Sequence, residues 1–298
     1  MARTDRFHVL VAVDGSRAAR AALATAVAFP WPRGAGASAV IARRGFAEAR
    51  VPAAWPPRVR AALDRALARV RDGARRGLRR RWLDAEALVV DRPAAAGILA
   101  EADRARADVI VVGSRGHNAI GRLVLGSVSR DVVRQARVPV LVAKGRPRPV
   151  RRLVVALDGS PNARRAARLV ARLPAPRGGR VTVVRVVDPV RVPSMGLVPS
   201  SVRRAVRAQA AALAARSVQR ARREVDAVAA RLARGGWAAR AIVLAGIPLP
   251  ALLGVVASDR ADVLVLGARG VGGIARLLLG SVAGGALTRA PVPVLVVR

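Results

Sequence analysis

The sequence predicts an α/β protein made of two doubly wound, five-stranded parallel-sheet domains in tandem. Its 298 residues suffice for two domains, each long enough to bury a core of its own. Short β-branched runs alternate with Ala- and Arg-rich helical stretches, and the whole alternation occurs twice. Helices between successive strands cover both faces of a parallel sheet, and right-handed crossovers make the sheet doubly wound.

The chain contains a copy of its own first half. The segment HVLVAVDGS near the N-terminus reappears as RLVVALDGS, and ADVIVVGSRG reappears as ADVLVLGARG. Asp14 corresponds to Asp158 and Gly113 to Gly267, which are offsets of 158 − 14 = 144 and 267 − 113 = 154 positions. The second copy therefore has ten additional residues (154 − 144 = 10), which we expect within DPVRVPSMGLVPSS.

A short segment rich in Pro and Arg, GRPRPV, separates the copies and predicts a linker. The predicted domains are residues 1–146 and residues 151–298. A repeat of this length indicates a duplicated domain and not a solenoid.

The same elements follow one another in each copy. In order, the predicted strands are HVLVAV, SAVIA, ALVV, DVIVVG and PVLVA in the first copy, and LVVAL, RVTVVRVV, AIVL, DVLVLG and PVLVV in the second. Helices are expected between them, the longest over residues 58–81 and 201–234 and the last over residues 127–136 and 281–289. Ligands of such sheets bind at the carboxyl ends of the strands, where the strand order reverses.

Composition excludes several classes of site. Cysteine is absent, which rules out disulfides, thiolate zinc sites and a cysteine nucleophile, and with two histidines a multi-histidine metal centre is not expected. The apolar runs are far shorter than the roughly 18 residues that span a membrane. The N-terminus does not have the pattern of a signal peptide. We therefore expect a cytoplasmic protein without catalytic residues, metal ligands or a membrane partner.

The net charge of +36 favours a nucleic-acid partner at first sight. Lys144 is the only lysine, however, and the abundance of Arg, Ala, Gly and Pro is typical of GC-rich coding. Aromatic residues make up 2% of the chain, so platforms for base stacking are scarce. A nucleic-acid role stays open as an alternative.

The most informative motif is the spacing Gly-x2-Gly-x9-Gly-Ser, which occurs once in each copy. Its residues are Gly113, Gly116, Gly126 and Ser127, and then Gly267, Gly270, Gly280 and Ser281. The first glycine ends a strand, the second allows a close approach of the backbone, and the Gly-Ser pair begins a helix whose amide groups attract phosphate. Ser127 and Ser281 are candidates for the N-cap and for hydroxyl donors, and Arg115 and Arg269 lie beside the loop. The motif predicts phosphate binding.

Asp14 and Asp158 end the first strand of their copies, in VDGS and LDGS. Either aspartate could cap the following helix, because Asp-Gly-Ser is typical of a turn and an N-cap. Either could instead face the crevice and accept a hydrogen bond from an adenine or a ribose. The residues alone leave both interpretations open.

With these motifs, both copies resemble domains of the universal stress protein family over nearly the whole chain. The resemblance rests on the VDGS and LDGS strand ends, the glycine loop and the closing VPVLV strand. It implies a strand order of 3-2-1-4-5, with ATP held against the first and fourth strands. It also implies that the last strand pairs with that of another domain, here within the chain, with a homodimer as a further possibility.

The resemblance also implies which residues hold ATP, with Mg²⁺ held by the phosphates. Asp14 and Asp158 would contact the adenosine end, and Val186 would meet the adenine. The ribose–phosphate path would be lined by Gly113, Arg115, Gly116, Gly126, Ser127 and Val128 in the first copy, and by Gly267, Arg269, Gly270, Gly280, Ser281 and Val282 in the second.

The first copy departs from the family pattern in two places. It has Arg43 or Arg44 near the position of Val186, and DRP from Asp91 where the second copy has GIP from Gly246. We therefore expect the second site to bind ATP more tightly. The leading hypothesis is a cytoplasmic, ATP-binding stress-response regulator that acts through nucleotide-dependent conformation or partner binding. The alternatives are a slow ATPase or self-phosphorylating protein, and an Arg-rich nucleic-acid binder.

Overall fold

The computed structural model describes residues 6–43, 56–114, 125–188, 200–270 and 279–298, and strands and helices alternate throughout them. The first half contains β1 His8–Ala12, α1 Arg17–Ala28, β2 Gly36–Ala42, α2 Pro57–Arg79, β3 Glu86–Val90, α3 Ala94–Arg104, β4 Val109–Gly113, α4 Ser127–Gln135 and β5 Val140–Ala143. The second half contains β6 Arg152–Leu157, α5 Pro161–Ala171, β7 Arg180–Val187, α6 Ser200–Arg234, β8 Ala238–Ala245, α7 Pro248–Ser258, β9 Val263–Gly267, α8 Ser281–Arg289 and β10 Val294–Val297. The order of these elements is the predicted one.

The strands form one sheet in the order β3-β2-β1-β4-β5-β10-β9-β6-β7-β8. Within each half every pairing is parallel, and the order is 3-2-1-4-5 when each half is counted from its own first strand. The predicted fold class is therefore confirmed. The order reverses beside β1 in the first half and beside β6 in the second, which creates a crevice at the carboxyl ends of those strands.

The halves meet where β5 and β10 pair in the antiparallel direction. Leu295 lies opposite Leu141, with Val294 opposite Val142 and Val296 opposite Val140. All residues of both strands are buried. The pairing gives each strand a second neighbour, so that neither is a sheet edge within this chain.

Side chains alternate between the two faces of the sheet, as parallel strands with both faces covered require. In β1, Val9 and Val11 belong to the core beneath α1 and α2, whereas Leu10 belongs to the core beneath α3 and α4. In the part of the chain that the structure describes, no helix has both the length and the apolarity needed to cross a membrane.

The longest helix of the second copy is longer than its counterpart in the first copy. The helix α6 has 35 residues, whereas its counterpart α2 has 23. The expected segment DPVRVPSMGLVPSS covers residues 188–201, of which residues 189–199 lie outside the described residues. The helix α6 begins at Ser200, one residue before the predicted start at residue 201, in a stretch rich in Ala and Arg, which favour helix.

Candidate functional site

A cavity of about 810 Å³ opens at the carboxyl ends of β6, β7 and β9. Its size falls within the roughly 300–1,000 Å³ range of small-molecule sites. The walls include every residue that we predicted to bind ATP in the second copy, namely Asp158, Val186, Gly267, Arg269, Gly270, Gly280, Ser281 and Val282. Residues that are 124 positions apart along the chain (282 − 158 = 124) therefore meet at one site.

Asp158 contributes to the turn before the helix and also faces the crevice, so parts of both interpretations of its role apply. One carboxylate oxygen accepts a hydrogen bond from the amide of Ser160 at 2.8 Å. The N-cap of α5 is Ser160 itself, whose hydroxyl accepts from the amide of Ala163 at 3.1 Å. Asp158 therefore shapes the turn before the helix and also lines the cavity, and its second oxygen lies 2.8 Å from the point that a Cβ on Gly270 would occupy.

The turn of the first half has the same hydrogen bonds. Asp14 accepts from the amide of Ser16 at 2.9 Å, and Ser16 accepts from the amide of Ala19 at 3.1 Å as the N-cap of α1. The two Asp-Gly-Ser segments thus form the same local structure, which agrees with their position in the repeat.

The first glycine of each loop is required by helix packing. A Cβ on Gly267 would lie 2.8 Å from the amide nitrogen of Ala163 in α5. In the first half, a Cβ on Gly113 would lie 2.7 Å from the carbonyl carbon of Ala18 in α1. Only a residue without a side chain lets the helix approach the end of the strand this closely.

The third glycine of each loop is the N-cap of a helix, which corrects our expectation for the serines. Gly126 precedes α4 and Gly280 precedes α8, with φ of −60° and −62°, and neither helix receives a hydrogen bond from a capping side chain. Ser127 and Ser281 are the first helical residues and not the N-caps. The first amide groups of α8 therefore have no capping side chain. They lie at the wall of the cavity, at the positive end of the helix dipole.

Gly280 itself is not required by the fold. Its φ is one that any residue adopts, and a Cβ there would lie 3.4 Å from its nearest neighbours, the carbonyl oxygen of Ala268 and the Cα of Arg269. These are ordinary van der Waals contacts. The absence of a side chain at Gly280 leaves the helix N-terminus open toward the cavity, as the approach of a phosphate requires.

The first half has a much smaller cavity of about 80 Å³ in the corresponding place. Of the residues predicted there, Asp14, Gly113 and Val128 line it. Gly126 and Ser127 lie at the start of α4, but they are not part of its walls. Arg115 and Gly116 belong to residues 115–124, which lie outside the described residues.

The register of β2 corrects the residue expected opposite the adenine in the first half. Val11 pairs with Ala39, and the corresponding Val155 of the second half pairs with Val183. Counting three residues further in each strand, Ala42 occupies the position of Val186, and Ala42 lines the small cavity.

Arg43 therefore lies one residue beyond the counterpart of Val186. Its guanidinium forms an ion pair with Asp64 at 2.9 Å. Arg44 lies outside the described residues. In the GIP turn before α7, Pro248 lines the second cavity, whereas Gly246, with a φ of +143°, does not.

Sequence reasoning missed Arg185, which also lines the second cavity. Its guanidinium forms an ion pair with Glu224 of α6. The signal that could have found it is the repeat, because the first copy has Ile41 at the same place in the strand (185 − 144 = 41). Among the described residues, no cluster of three or more His, Asp or Glu side chains is arranged to hold a metal ion.

Arg269 lies near the end of β10. Burial, and then the positive charge of Arg269, lower the pKa of Arg298. Arg269 also lines the cavity, and its Cα lies 3.4 Å from the point that a Cβ on Gly280 would occupy. The cavity therefore has a positively charged flank next to the N-terminus of α8, and this flank favours an anionic ligand.

Comparison with known proteins gives a consistent result for both halves. The model of the universal stress protein family matches residues 6–144 and again residues 149–298. A universal stress protein of Mycobacterium tuberculosis is 30% identical over 197 residues, which are 64% of this chain and 58% of that protein. A second one from the same species is 33% identical over 205 residues, which are 64% of this chain and 62% of that protein. The matches span less than two thirds of either relative.

A shorter relative corresponds to a single half. A universal stress protein from Thermus aquaticus is 30% identical over 146 residues, which are 49% of this chain and 97% of that protein. Among solved structures, a universal stress protein from Archaeoglobus fulgidus has a TM-score of 0.63 and 18% identity, with 98% of both chains covered. At this identity the likeness shows the fold, and it extends over both halves.

Proposed function

Because the chain belongs to the universal stress protein family, we propose that it is a cytoplasmic, ATP-binding regulator of the stress response and not a dedicated enzyme. The observation that carries the proposal is the 810 Å³ cavity at the point where the strand order reverses, with the start of α8 in its wall. Both features are those that α/β proteins use for nucleotides.

The residues present in the second half fit an ATP molecule at both ends. The open N-terminus of α8, with Gly280 and Ser281, would hold the phosphates, and Arg269 would add positive charge beside them. The apolar side of the cavity at Val186 would hold the adenine, with Asp158 near the ribose. Mg²⁺ would be held by the phosphates themselves.

Regulation would follow from the position of the ligand. A nucleotide in the cavity would contact β6, β7, the loop after β9 and the start of α8, and thereby order elements that are separate in the chain. Binding that favours one arrangement of these elements shifts the population toward it and so alters the surface offered to a partner.

Self-phosphorylation is a second candidate, because the exposed residue Ser281 lines the cavity. In that reaction the hydroxyl oxygen of Ser281 would take the γ-phosphoryl group of ATP, the hydroxyl would lose its proton to solvent, and ADP would leave. Intact-mass measurement after incubation with ATP distinguishes the candidates, since only self-phosphorylation adds the mass of a phosphoryl group to the chain.

Native mass spectrometry and calorimetric titration of the full chain test the proposed function. We expect bound ATP in the purified protein, or at least one ATP taken up per chain on titration, with steady-state hydrolysis no faster than in buffer. Rapid turnover would instead favour the ATPase, and absence of ATP binding under all conditions would refute both. DNA binding that weakens steeply with salt, without ATP binding, would favour the nucleic-acid alternative.

A further inference from the structure

The second cavity contains an ion pair that has an apolar counterpart in the first half. Arg185, near the end of β7, pairs with Glu224 of α6, and the two side chains are only 19% and 20% exposed. Such a pair loses most of its hydration, and replacing it by apolar residues of similar size is often neutral or stabilising. Stability alone therefore does not explain why the chain has it.

In the first half, apolar side chains occupy the positions that correspond to both members of the pair. Ile41 occupies the place of Arg185 in the strand and is fully buried. In the following helix the repeat offset is 154, because Ser38 pairs with Glu86 and its counterpart Thr182 pairs with Arg240 (240 − 86 = 154). The fully buried residues Leu78 and Leu232 follow the same offset (232 − 78 = 154).

Val70 is consequently the counterpart of Glu224 (224 − 154 = 70), and it packs against the same core as Ile41. Both members of the pair thus change together between the halves: Arg with Glu in one, Ile with Val in the other. The half with the charged pair is the half with the large cavity.

The guanidinium lies beside the turn that begins at Asp158. Its two terminal nitrogens are each 3.3 Å from the point that a Cβ on Gly159 would occupy, and Arg185 is part of the cavity wall together with Asp158 and Val186. Because side chains alternate along a strand, Arg185 extends from the face of β7 opposite to that of Val186, toward the turn at Asp158 where the ribose of the ligand is expected. A guanidinium has five N–H donors in a rigid fork, and Glu224 accepts from one terminal nitrogen.

We propose that Arg185 is a specificity-determining residue of the second site, which donates a hydrogen bond to the base or ribose of a bound purine nucleotide, and that Glu224 positions it. The inference rests on the proposed function and deepens it. At the corresponding position of the first half, Ile41 has no side-chain donor.

The test transfers the apolar pair of the first half into the second. The parent is the full chain with Gly126→Asp, whose carboxylate at the start of α4 should repel phosphate from the first site, and the variant adds Arg185→Ile with Glu224→Val. We expect about a tenfold loss of ATP affinity by calorimetry, as for one lost charged hydrogen bond. Affinity for inorganic tripolyphosphate should stay unchanged, because that ligand has no nucleoside, and the melting temperature should not fall.

A matched control removes another ion pair with no change in net charge. Arg222 and Asp226 form an exposed pair on α6 at 2.9 Å, so Arg222→Ile with Asp226→Val should leave ATP affinity unchanged. Equal losses for ATP and tripolyphosphate, or no loss for either, would overturn the assignment of Arg185. If the unmutated chain bound no ATP, the proposed function would fall and this inference with it, whereas a parent without ATP binding or an unchanged variant overturns the inference alone.

The role of Glu224 has its own readout. Glu224→Gln retains an oxygen that can accept from Arg185, whereas Glu224→Val does not. We expect the Gln variant to keep ATP affinity within about threefold of the parent and the Val variant to lose about tenfold. Equal affinities of these two variants would contradict the positioning role.

Discussion

At the scale of single residues, two glycines of the second loop differ in what requires them. Gly267 has no room for a Cβ, because the backbone of α5 at Ala163 lies against it. Gly280 has ordinary contacts and an ordinary φ, so the protein alone does not demand a glycine there. Substitution of Gly267 should therefore impair folding, whereas substitution of Gly280 should impair ligand binding.

We predict that Gly280→Asp lowers the ATP affinity of the second site at least tenfold, or by about 1.4 kcal/mol. The carboxylate would occupy the open N-terminus of α8 and repel phosphate there. Calorimetric titration of the full chain measures the effect. The matched variant Gly280→Ala should be as stable as the parent and should bind ATP more tightly than the Asp variant does. Equal ATP affinity in the parent and in Gly280→Asp would remove the start of α8 from the phosphate site.

His8 supplies a prediction about pH. Its ring nitrogen Nε2 lies 2.9 Å from the hydroxyl of Ser38, and burial lowers the pKa of the imidazole below its usual 6.5. Below about pH 6.5 the unfolded chain binds this proton first, so the free energy of unfolding should fall as the solution is acidified. Urea denaturation at pH 7 and pH 5.5 measures the change.

Replacement of the imidazole isolates this contribution. His8→Gln should lose less unfolding free energy between pH 7 and pH 5.5 than the parent does, because glutamine does not titrate there. Identical pH dependence in the parent and in His8→Gln would show that another group controls it.

At the scale of elements, each half caps the last helix of the other. Lys144 follows β5, and its ammonium donates to the carbonyl oxygens of Ala286 at 3.4 Å and Ala290 at 3.0 Å, at the C-terminus of α8. Arg298 follows β10 and donates to the carbonyl oxygens of Val133, at 3.0 Å, and Arg134, at the C-terminus of α4. Cations at these helix ends interact favourably with the helix dipole.

Lys144→Met and Arg298→Met should each lower the free energy of unfolding by about 1 kcal/mol, because a carbonyl contact and a favourable dipole interaction are lost. Urea denaturation of the full chain gives this quantity. Arg146→Met removes an exposed cation two residues beyond Lys144 and serves as the control, with an expected change of less than about 0.5 kcal/mol. Changes as small as the control in both variants would show that these contacts do not stabilise the helix ends.

The elements also show what the sequence could predict. The succession of strands and helices followed from the repeat, because hydrophobic runs are local signals, and the strand order followed from the family resemblance. The role of Ala42 did not follow from the sequence, since a shift of one residue in the register decides whether Ala42 or Arg43 corresponds to Val186. The pair of Arg185 and Glu224 was missed because its members come from two elements 39 residues apart, which only the fold brings together.

At the scale of the molecule, the duplication has produced two halves with one topology and different cavities. The common sheet order and the shared Asp-Gly-Ser turns preserve the framework. Among the described residues, the halves differ at the second strand, where Ala42 and Ile41 occupy the places of Val186 and Arg185, and in the length of helix α6. Ser217 of that helix lines the second cavity. The cavity of the second half therefore has additional lining residues that can contact a ligand.

This difference leads us to expect that the second site binds ATP more tightly than the first. An alanine at position 42 offers the adenine two carbon atoms fewer than Val186 does. At about 0.8 kcal/mol for each buried carbon, the loss is about 1–2 kcal/mol, or roughly tenfold in affinity. The cavity volumes of about 80 Å³ and 810 Å³ point in the same direction. Titration of the full chain with ATP, once with Gly126→Asp and once with Gly280→Asp, measures each site alone, and equal or reversed affinities would refute the asymmetry.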